Sequence, residues 1–336
     1  MRTFRLGLNS HCYFFYQKIL PIHILKIVAA FFRLIRWPNL VFIGLTQFLF
    51  EYCIYQKVYQ TSFPVLHETK QFLFIVIASI LIAAAGYIIN DYFDLNIDQI
   101  NKPDKVVVNV LINRRWVIFW HMMLSLLGLF FTVSALPIDQ YGYLVLANLV
   151  SIILLWLYST NLKKQLLVGN VLISLLTAWV ILIIFLSKYP IKNLYGLFVE
   201  KDEIRMFRYT ILYASFAFII SLIREVIKDM EDIEGDRKYG CRTMPIIWGI
   251  NASKVFVSVW IIVLVAILTI LQFYVLAFGW WHSALYCFLL IILPLIWVLK
   301  KLFTAHSVED FHSLSKLIKL VMLAGILSML FFRFYL

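Results

Sequence analysis

The 336-residue chain has few charges and few of the residues that interrupt helices. Only 14% of its residues are charged, and it has 12 glycines and 8 prolines, while 63% of its residues are hydrophobic and the mean hydropathy is +0.89. The core of a soluble protein cannot take up that much apolar surface. The composition therefore excludes a soluble globular protein and predicts an integral membrane protein.

Cysteine is scarce as well. The four cysteines, at positions 12, 53, 241 and 287, are far apart and show neither a CxxC pair nor a Cys/His ligand spacing. This pattern predicts neither a disulfide framework nor a zinc site. We also expect no cleaved signal peptide, because basic residues interrupt the first apolar stretch and no small-residue cleavage site follows it.

Nine apolar stretches are long enough to cross a bilayer as helices. They lie at residues 37–53, 71–90, 115–136, 141–158, 166–187, 206–223, 254–277, 281–299 and 315–335. The predicted fold is therefore all-α, a polytopic membrane domain over residues 37–336. Residues 1–36 mix basic positions with Ile, Leu and Phe, which is typical of a basic amphipathic segment lying in the membrane interface.

The net charge of +12 comes from basic residues spread over the connections between these stretches, which is a topology signal rather than a nucleic-acid site. Most of the Lys and Arg residues lie in the N-terminal segment and in the connections after spans two, four, six and eight. We predict that this side faces the cytoplasm, across the inner membrane if the source is a bacterium. The connection after span five, with Lys188 and Lys192, is the exception.

The acidic residues are concentrated, since ten of the 18 fall within residues 91–104 and 225–236. Two sets of three aspartates share the spacing i, i+3, i+7, and each set follows an apolar run. They are Asp91, Asp94 and Asp98, and Asp229, Asp232 and Asp236. This spacing puts each set on one face of a helix at the membrane edge. A solvated helix end would explain one such stripe, but two identical stripes favour a functional site.

Six neighbouring carboxylates repel one another unless they are protonated or bind cations. Mg²⁺ prefers carboxylate oxygens and is often completed by phosphate oxygens, whereas the spacing excludes an EF-hand. Basic residues are predicted on the same side: Lys102, Lys105, Lys163, Lys164, Arg237, Lys238 and Arg242. Acids that hold Mg²⁺ and bases that bind oxygen anions together indicate a diphosphate site. Because apolar helices surround it, the simplest ligand is a polyisoprenyl diphosphate.

Two short sequences resemble the signatures of a known family. NDYFDLNID at residues 90–98 and DIEGD at residues 232–236 are similar to the NDxxDxxxD and DxxxD motifs of UbiA-type intramembrane prenyltransferases. The sequence RWPN at residues 36–39 and the nine spans also resemble that family. The likeness covers about residues 33–335.

This resemblance implies nine helices around a central cavity and a Mg²⁺-dependent transfer of a prenyl group from an allylic diphosphate to a membrane-associated acceptor. It implies that the six aspartates hold the metal, with Asp91, Asp94, Asp98, Asp232 and Asp236 as the catalytic set. The residues that it assigns to diphosphate binding are Asn90, Lys105, Lys163, Arg237, Lys238 and Tyr158. Tyr92 and Phe93 are further candidates for stabilising the allylic cation.

The acceptor is left open by the sequence. Residues 224–245 are similar to the digeranylgeranylglyceryl phosphate synthase branch, which alkylates a glycerol hydroxyl of geranylgeranylglyceryl phosphate. The sequence KVVVNV at residues 105–110 departs from that branch, so a quinone-ring precursor or a chlorin-type alcohol is an alternative acceptor. An ion-coupled transporter is the alternative of a different class. Apart from substrates and membrane lipid, we expect no nucleic acid and no obligate protein partner.

Overall fold

The computed structural model describes residues 26–60, 66–193 and 200–335, and these residues are almost entirely helical, with no strand beyond one isolated bridge. The helices are α1 (Lys26–Leu34), α2 (Trp37–Val58), α3 (Leu66–Asn101), α4 (Arg114–Ala135), α5 (Ile138–Thr160), α6 (Val168–Leu186), α7 (Lys201–Glu231), α8 (Ile233–Lys238), α9 (Met244–Ile247), α10 (Ile250–Leu276), α11 (Trp281–Thr304) and α12 (Val308–Tyr335).

The predicted all-α membrane fold with nine spans is confirmed. Within the described residues, eight helices are each long and apolar enough to cross a membrane, and the bent pair α1 and α2 supplies a ninth. Each of the nine predicted spans lies within one of these helices or passes its ends by no more than two residues, so the chain is an integral membrane protein. Helices α3 and α7 run past their apolar stretches to Asn101 and Glu231. The acidic motifs are therefore continuations of membrane helices.

Helix α1 meets α2 at an angle of 54°. The bend lies at Arg36, whose backbone is left-handed with φ of 50°, and Pro38 sits in the first turn of α2, where no backbone N–H is needed. Ala30 and Leu34 of α1 are buried in a cluster with residues of α3 and α4. The predicted interfacial segment lies mostly in residues 1–25, outside the described residues, and its orientation stays a prediction.

Two of the three hydrophobic clusters in the described part of the bundle hold the acidic ends of α3 and α7 separately. Helices α7, α10, α11 and α12 share one cluster, and α1 to α4 share another. Helices α7 and α12 approach closely at Gly325, where a Cβ would lie 2.4 Å from the ring of Phe216. Because the acidic ends of α3 and α7 are held by separate cores, their contact depends on side chains that reach between them.

A buried ion pair closes the opposite end of the bundle. The Nζ of Lys188 lies 2.8 Å from Oε1 of Glu51, which is 4% exposed, and 4.3 Å from the centre of the Tyr55 ring. Lys188 belongs to the connection that departs from the predicted charge distribution. Its charge is offset by Glu51, so it does not act as a free positive charge in that connection.

We predict that Lys188→Met destabilises the protein by about 3–5 kcal/mol, because it leaves the Glu51 carboxylate buried without its partner. The double variant Glu51→Gln/Lys188→Met should recover most of that loss, since it removes both charges. Thermal unfolding in detergent measures the difference, with the exposed Lys192→Met as the matched control. Equal losses in the single and double variants would contradict this account.

Candidate active site

The two acidic motifs, residues 90–98 and residues 229–236, meet at one end of the bundle. The side-chain amide of Asn101, at the end of α3, donates to the backbone carbonyl of Asp232 at 2.9 Å and accepts from the N–H of Gly235 at 2.8 Å. A Cβ at position 235 would lie 2.6 Å from this amide. Glycine is thus required for the close approach, and Asn101 joins the second motif to the first.

A cavity of about 670 Å³ lies between the motifs. All six predicted aspartates line it, together with Asn90, Tyr158 and Lys163. Further along α3, Ser79 and Ile82 line the same cavity nine to twelve residues before the first aspartate, which is about 14–18 Å deeper at the rise of an α-helix. The cavity therefore has a charged outer end and a largely apolar inner part.

Three cationic or amide side chains hold the carboxylates of the first motif. Arg36 donates to Asp91 at 2.7 Å, and Asn90 donates to Asp94 at 2.7 Å. Lys163 forms a short ion pair with Asp94. The turn that carries Lys163 packs against Gly169, where a Cβ would lie 2.8 Å from the Cα of Lys163.

The second motif is broken rather than continuous, which corrects the predicted single stripe. Helix α7 ends at Glu231, Asp232 has non-helical angles of φ −96° and ψ 11°, and α8 carries Asp236. Asp229, which still lies within α7, accepts a hydrogen bond at 2.8 Å from the side-chain amide of Asn170 on α6. The break allows α8 to change direction while its aspartate still faces the cavity.

Acidic groups at the break are offset by a lysine and a histidine. Lys102 lies 2.7 Å from the Asp232 carboxylate and 3.6 Å from Glu231, which also contacts Nδ1 of His312 at 2.9 Å. Burial, with the neighbouring charges of Asp232 and Asp94, raises the pKa of the Asp236 carboxyl to about 7. This carboxyl therefore needs a further cation to stay fully ionised at neutral pH.

The donor set suits Mg²⁺ although it is not arranged as a finished metal cluster. Among the described residues, no three His, Cys, Asp or Glu side chains are grouped closely enough to hold a metal. The carboxylates are paired with Arg36, Lys102 and Lys163 instead. Mg²⁺ commonly binds through one or two carboxylates, with waters and phosphate oxygens completing its shell. The carboxylate oxygens of the two motifs, on opposite sides of the cavity, suit Mg²⁺ bound through one or two carboxylates with phosphate oxygens completing its shell.

Some predicted residues do not reach the cavity. Arg237 and Lys238 are exposed, because successive residues on α8 turn away by 100° each from Asp236. Tyr92 lies under Arg114, and Phe93 packs on Trp156, so neither ring lines the cavity.

The predicted diphosphate ligand Lys105 ends the short turn Pro103–Lys105, and its side chain is outside the described part of the structure. The aromatic rings that do line the cavity are those of Phe42, Tyr87, Tyr158 and Trp179.

Several cavity residues were missed from the sequence. They are basic and come from four separate helices or joints: Arg33, Arg36, Arg224, Lys228, Lys316 and Lys319. Arg33, Lys316 and Lys319 lie outside the sequence motifs, whereas Arg36 begins the RWPN sequence and Arg224 and Lys228 lie within residues 224–245. Charged residues within membrane helices are rare and often functional. That rule was the available signal for Arg224 and Lys319.

The chain matches known proteins over most of its length. The model of the UbiA prenyltransferase family matches residues 58–323, which include both motifs. The chain is 30% identical over 248 residues to a digeranylgeranylglyceryl phosphate synthase of Methanosphaera stadtmanae, covering 73% of this chain and 81% of the relative.

Solved structures have the same fold. One, from a study of digeranylgeranylglyceryl phosphate synthase in membranes, has a TM-score of 0.57 and 24% identity, covering 91% of this chain and 99% of that one. A UbiA homologue from Archaeoglobus fulgidus, bound to DMAPP and Mg²⁺, has a TM-score of 0.53 and 17% identity, covering 89% and 98% of the two chains.

We predict that Gly235→Ala lowers the rate of prenyl transfer at least about tenfold, because its Cβ displaces the Asn101 amide and loosens the contact between the motifs. Asn101→Ala should have a similar effect, and the double variant should be no worse than Asn101→Ala alone, since both act on one contact. Initial rates measure this cycle. Gly142→Ala, whose Cβ meets only an ordinary contact at 3.6 Å, is the control. Multiplying effects in the double variant would refute the shared contact.

Proposed function

Because the chain belongs to the UbiA prenyltransferase family, we propose that it transfers a polyisoprenyl group from an allylic diphosphate to the glycerol hydroxyl of geranylgeranylglyceryl phosphate, with Mg²⁺ at the two aspartate motifs. The family assignment makes the chain a membrane-embedded prenyltransferase and removes the basis for the transporter alternative. The observation that carries the proposal is that aspartates of both motifs line one cavity with an apolar inner part.

The charged end of the cavity is the proposed diphosphate site. Mg²⁺, when bound, neutralises the diphosphate and stabilises it as a leaving group. Asp91, Asp94, Asp98, Asp229, Asp232 and Asp236 are the residues that would hold it. Asn90, Tyr158 and Lys163 contribute donors at the same end, and Lys163 is held there by Asp94. The A. fulgidus homologue with DMAPP and Mg²⁺ supports this assignment by analogy of fold.

The inner part of the cavity is the proposed site of the prenyl chain. Ile82, Leu155, Ile173, Leu176 and Val180 give it apolar surface, and the polar side chains of Ser79, Asn148, Ser151, Thr177 and Ser221 also line the cavity. The apolar surface limits the water that could capture an allylic cation before the acceptor oxygen attacks. The residues Tyr87, Tyr158 and Trp179 line the same cavity, and an aromatic face turned toward an allylic cation would stabilise it.

The active end faces the cytoplasm in this proposal. The Lys and Arg distribution supports that orientation, and the pairing of Lys188 with Glu51 removes part of the exception to it. Residues 37–336 form the proposed catalytic domain, to which α1 adds Arg33 in the lining of the cavity.

The acceptor assignment rests on the curated relative and on the second motif. Purified protein in nanodiscs, with labelled geranylgeranyl diphosphate and Mg²⁺, is incubated with geranylgeranylglyceryl phosphate, a hydroxybenzoate or a chlorin-type alcohol. We expect Mg²⁺-dependent diphosphate release and an ether product with the first acceptor. An aromatic or chlorin product would overturn the acceptor assignment. No release with any acceptor would overturn the whole proposal.

We predict that Asp98→Asn or Asp236→Asn lowers the transfer rate at least about 100-fold, because each removes a negative charge that would hold the metal at the leaving group. Both changes keep the size of the side chain, so the unfolding temperature should stay near that of the unmodified protein. The control is Asp139→Asn, at the exposed start of α5. Retained transfer with both variants would exclude the aspartates from the reaction.

A further inference from the structure

A second cavity opens beside the first, between α1, the joint with α2, α7 and α12. Four cations line it, and none of the described residues lining it is acidic: Arg33, Arg36, Arg224 and Lys319. All four also line the main cavity. The two cavities therefore share a basic wall on the side of the site away from α8.

Two of the four cations of this wall, Lys319 and Arg33, have no carboxylate partner among the described residues, whereas Arg36 pairs with Asp91. Lys319 donates to Oδ1 of Asn39 at 2.6 Å and lies 5.3 Å from the Phe42 ring, with no carboxylate within 4.0 Å among the described residues. Arg33 donates to the backbone carbonyl of Asp104 at 3.0 Å and makes no ion pair within the same ranges. These two charges are not offset by any acid.

Arg224 is only partly satisfied. Its Nη1 lies 3.0 Å from Oε1 of Glu225, but Lys228 takes the other oxygen of that carboxylate at 2.9 Å. The Nε of Arg224 is buried and has no hydrogen-bond partner in the described part of the chain. A buried donor without a partner is costly, so this nitrogen is suited to a ligand oxygen.

We propose that this basic wall binds the phosphate monoester of the acceptor lipid, an inference that rests on the proposed function and names its acceptor site. Arg33 and Lys319 match the charge of a phosphate monoester, which is about −1.5 to −2 at neutral pH. Arginine forks and lysine bind such oxygens directly, without metal. Phe32 and Trp37 line the second cavity and are 49% and 53% exposed, so they form an apolar rim for the lipid chain.

The proposal separates the two phosphorylated substrates by chemistry. The donor's diphosphate needs Mg²⁺ because the end of the cavity that receives it is acidic. The acceptor's headgroup needs none, because its wall is basic. Since the two walls face one cavity, a headgroup held by Arg33, Arg224 and Lys319 leaves the glycerol hydroxyl on the side of the donor.

Binding without metal tests the headgroup site independently of turnover. Fluorescent lysophosphatidic acid, a glycerol phosphate monoester with one chain, is titrated onto the protein in nanodiscs with EDTA. We expect Lys319→Gln and Arg33→Gln to weaken binding about 10- to 100-fold, as for loss of a charge-assisted hydrogen bond. Lys300→Gln, an exposed lysine of α11, is the control and should bind normally. Because Arg33 is exposed, its variant keeps the test valid if Lys319→Gln does not fold.

Other ligands identify what the site recognises. Monoacylglycerol and a lysophospholipid with a phosphodiester headgroup should bind at least about tenfold more weakly than lysophosphatidic acid, and inorganic phosphate should compete only weakly. Equal binding of the phosphodiester lipid would show general attraction to anionic lipid and overturn the proposal. Loss of binding in Asp236→Asn, with retention in Lys319→Gln, would place the phosphate at the aspartates and also overturn it.

Kinetics separate this inference from the proposed function. With geranylgeranylglyceryl phosphate, Lys319→Gln should lower kcat/KM about 10- to 100-fold, a loss at least about tenfold larger than its loss with the dephosphorylated acceptor. Equal losses with both acceptors would overturn the headgroup site and leave the function standing. If the unmodified protein binds lysophosphatidic acid through Lys319 but never transfers to the phosphorylated acceptor, the function fails and the headgroup site stands.

Discussion

The hydrogen bonds of one amide, that of Asn101, hold the second motif against the helix that carries the first. The two motifs bring aspartates from separate helices to one space, and like charges in such a space repel. Asn101 is neutral and has both a donor and an acceptor, so it can join Asp232 and Gly235 without adding charge. A lysine or an aspartate there would offer only donors or only acceptors. The absence of a Cβ at Gly235 makes this contact short enough to hold α8 against α3.

Two lysines also stabilise the two motifs. Lys102 and Lys163 each pair with an aspartate of a different motif, so the resting site is an alternating arrangement of acids and bases. Such pairing explains why no ready metal cluster occurs among the described residues. In the proposed reaction, the aspartates would hold Mg²⁺, and Lys102 and Lys163 would be available to bind phosphate oxygens of the diphosphate.

The fold and half of the site were predictable from the sequence because their signals are local. Apolar length gave the nine spans, and the spacing of Asp91, Asp94 and Asp98 gave one wall of the cavity. Sequence spacing did not predict that Arg237 and Lys238 point away from the cavity, because the break at Asp232 changes which face of α8 turns inward. The basic wall was not predictable as a site, since its four members come from α1, its joint with α2, α7 and α12, which meet only in the folded bundle.

The cavity has acidic groups at one end and basic groups along one wall, and this separation keeps the two phosphorylated substrates apart. If the acceptor phosphate could reach the metal, it would compete with the donor, because both are oxygen anions that bind Mg²⁺. Arg33, Arg224 and Lys319 give that phosphate a site of its own, so the acidic end stays free for the donor. The acceptor is then held by its charge at one wall, while its hydroxyl is free to meet the cation. Positioning of this kind replaces a random encounter with a fixed approach, and it excludes water from the same space.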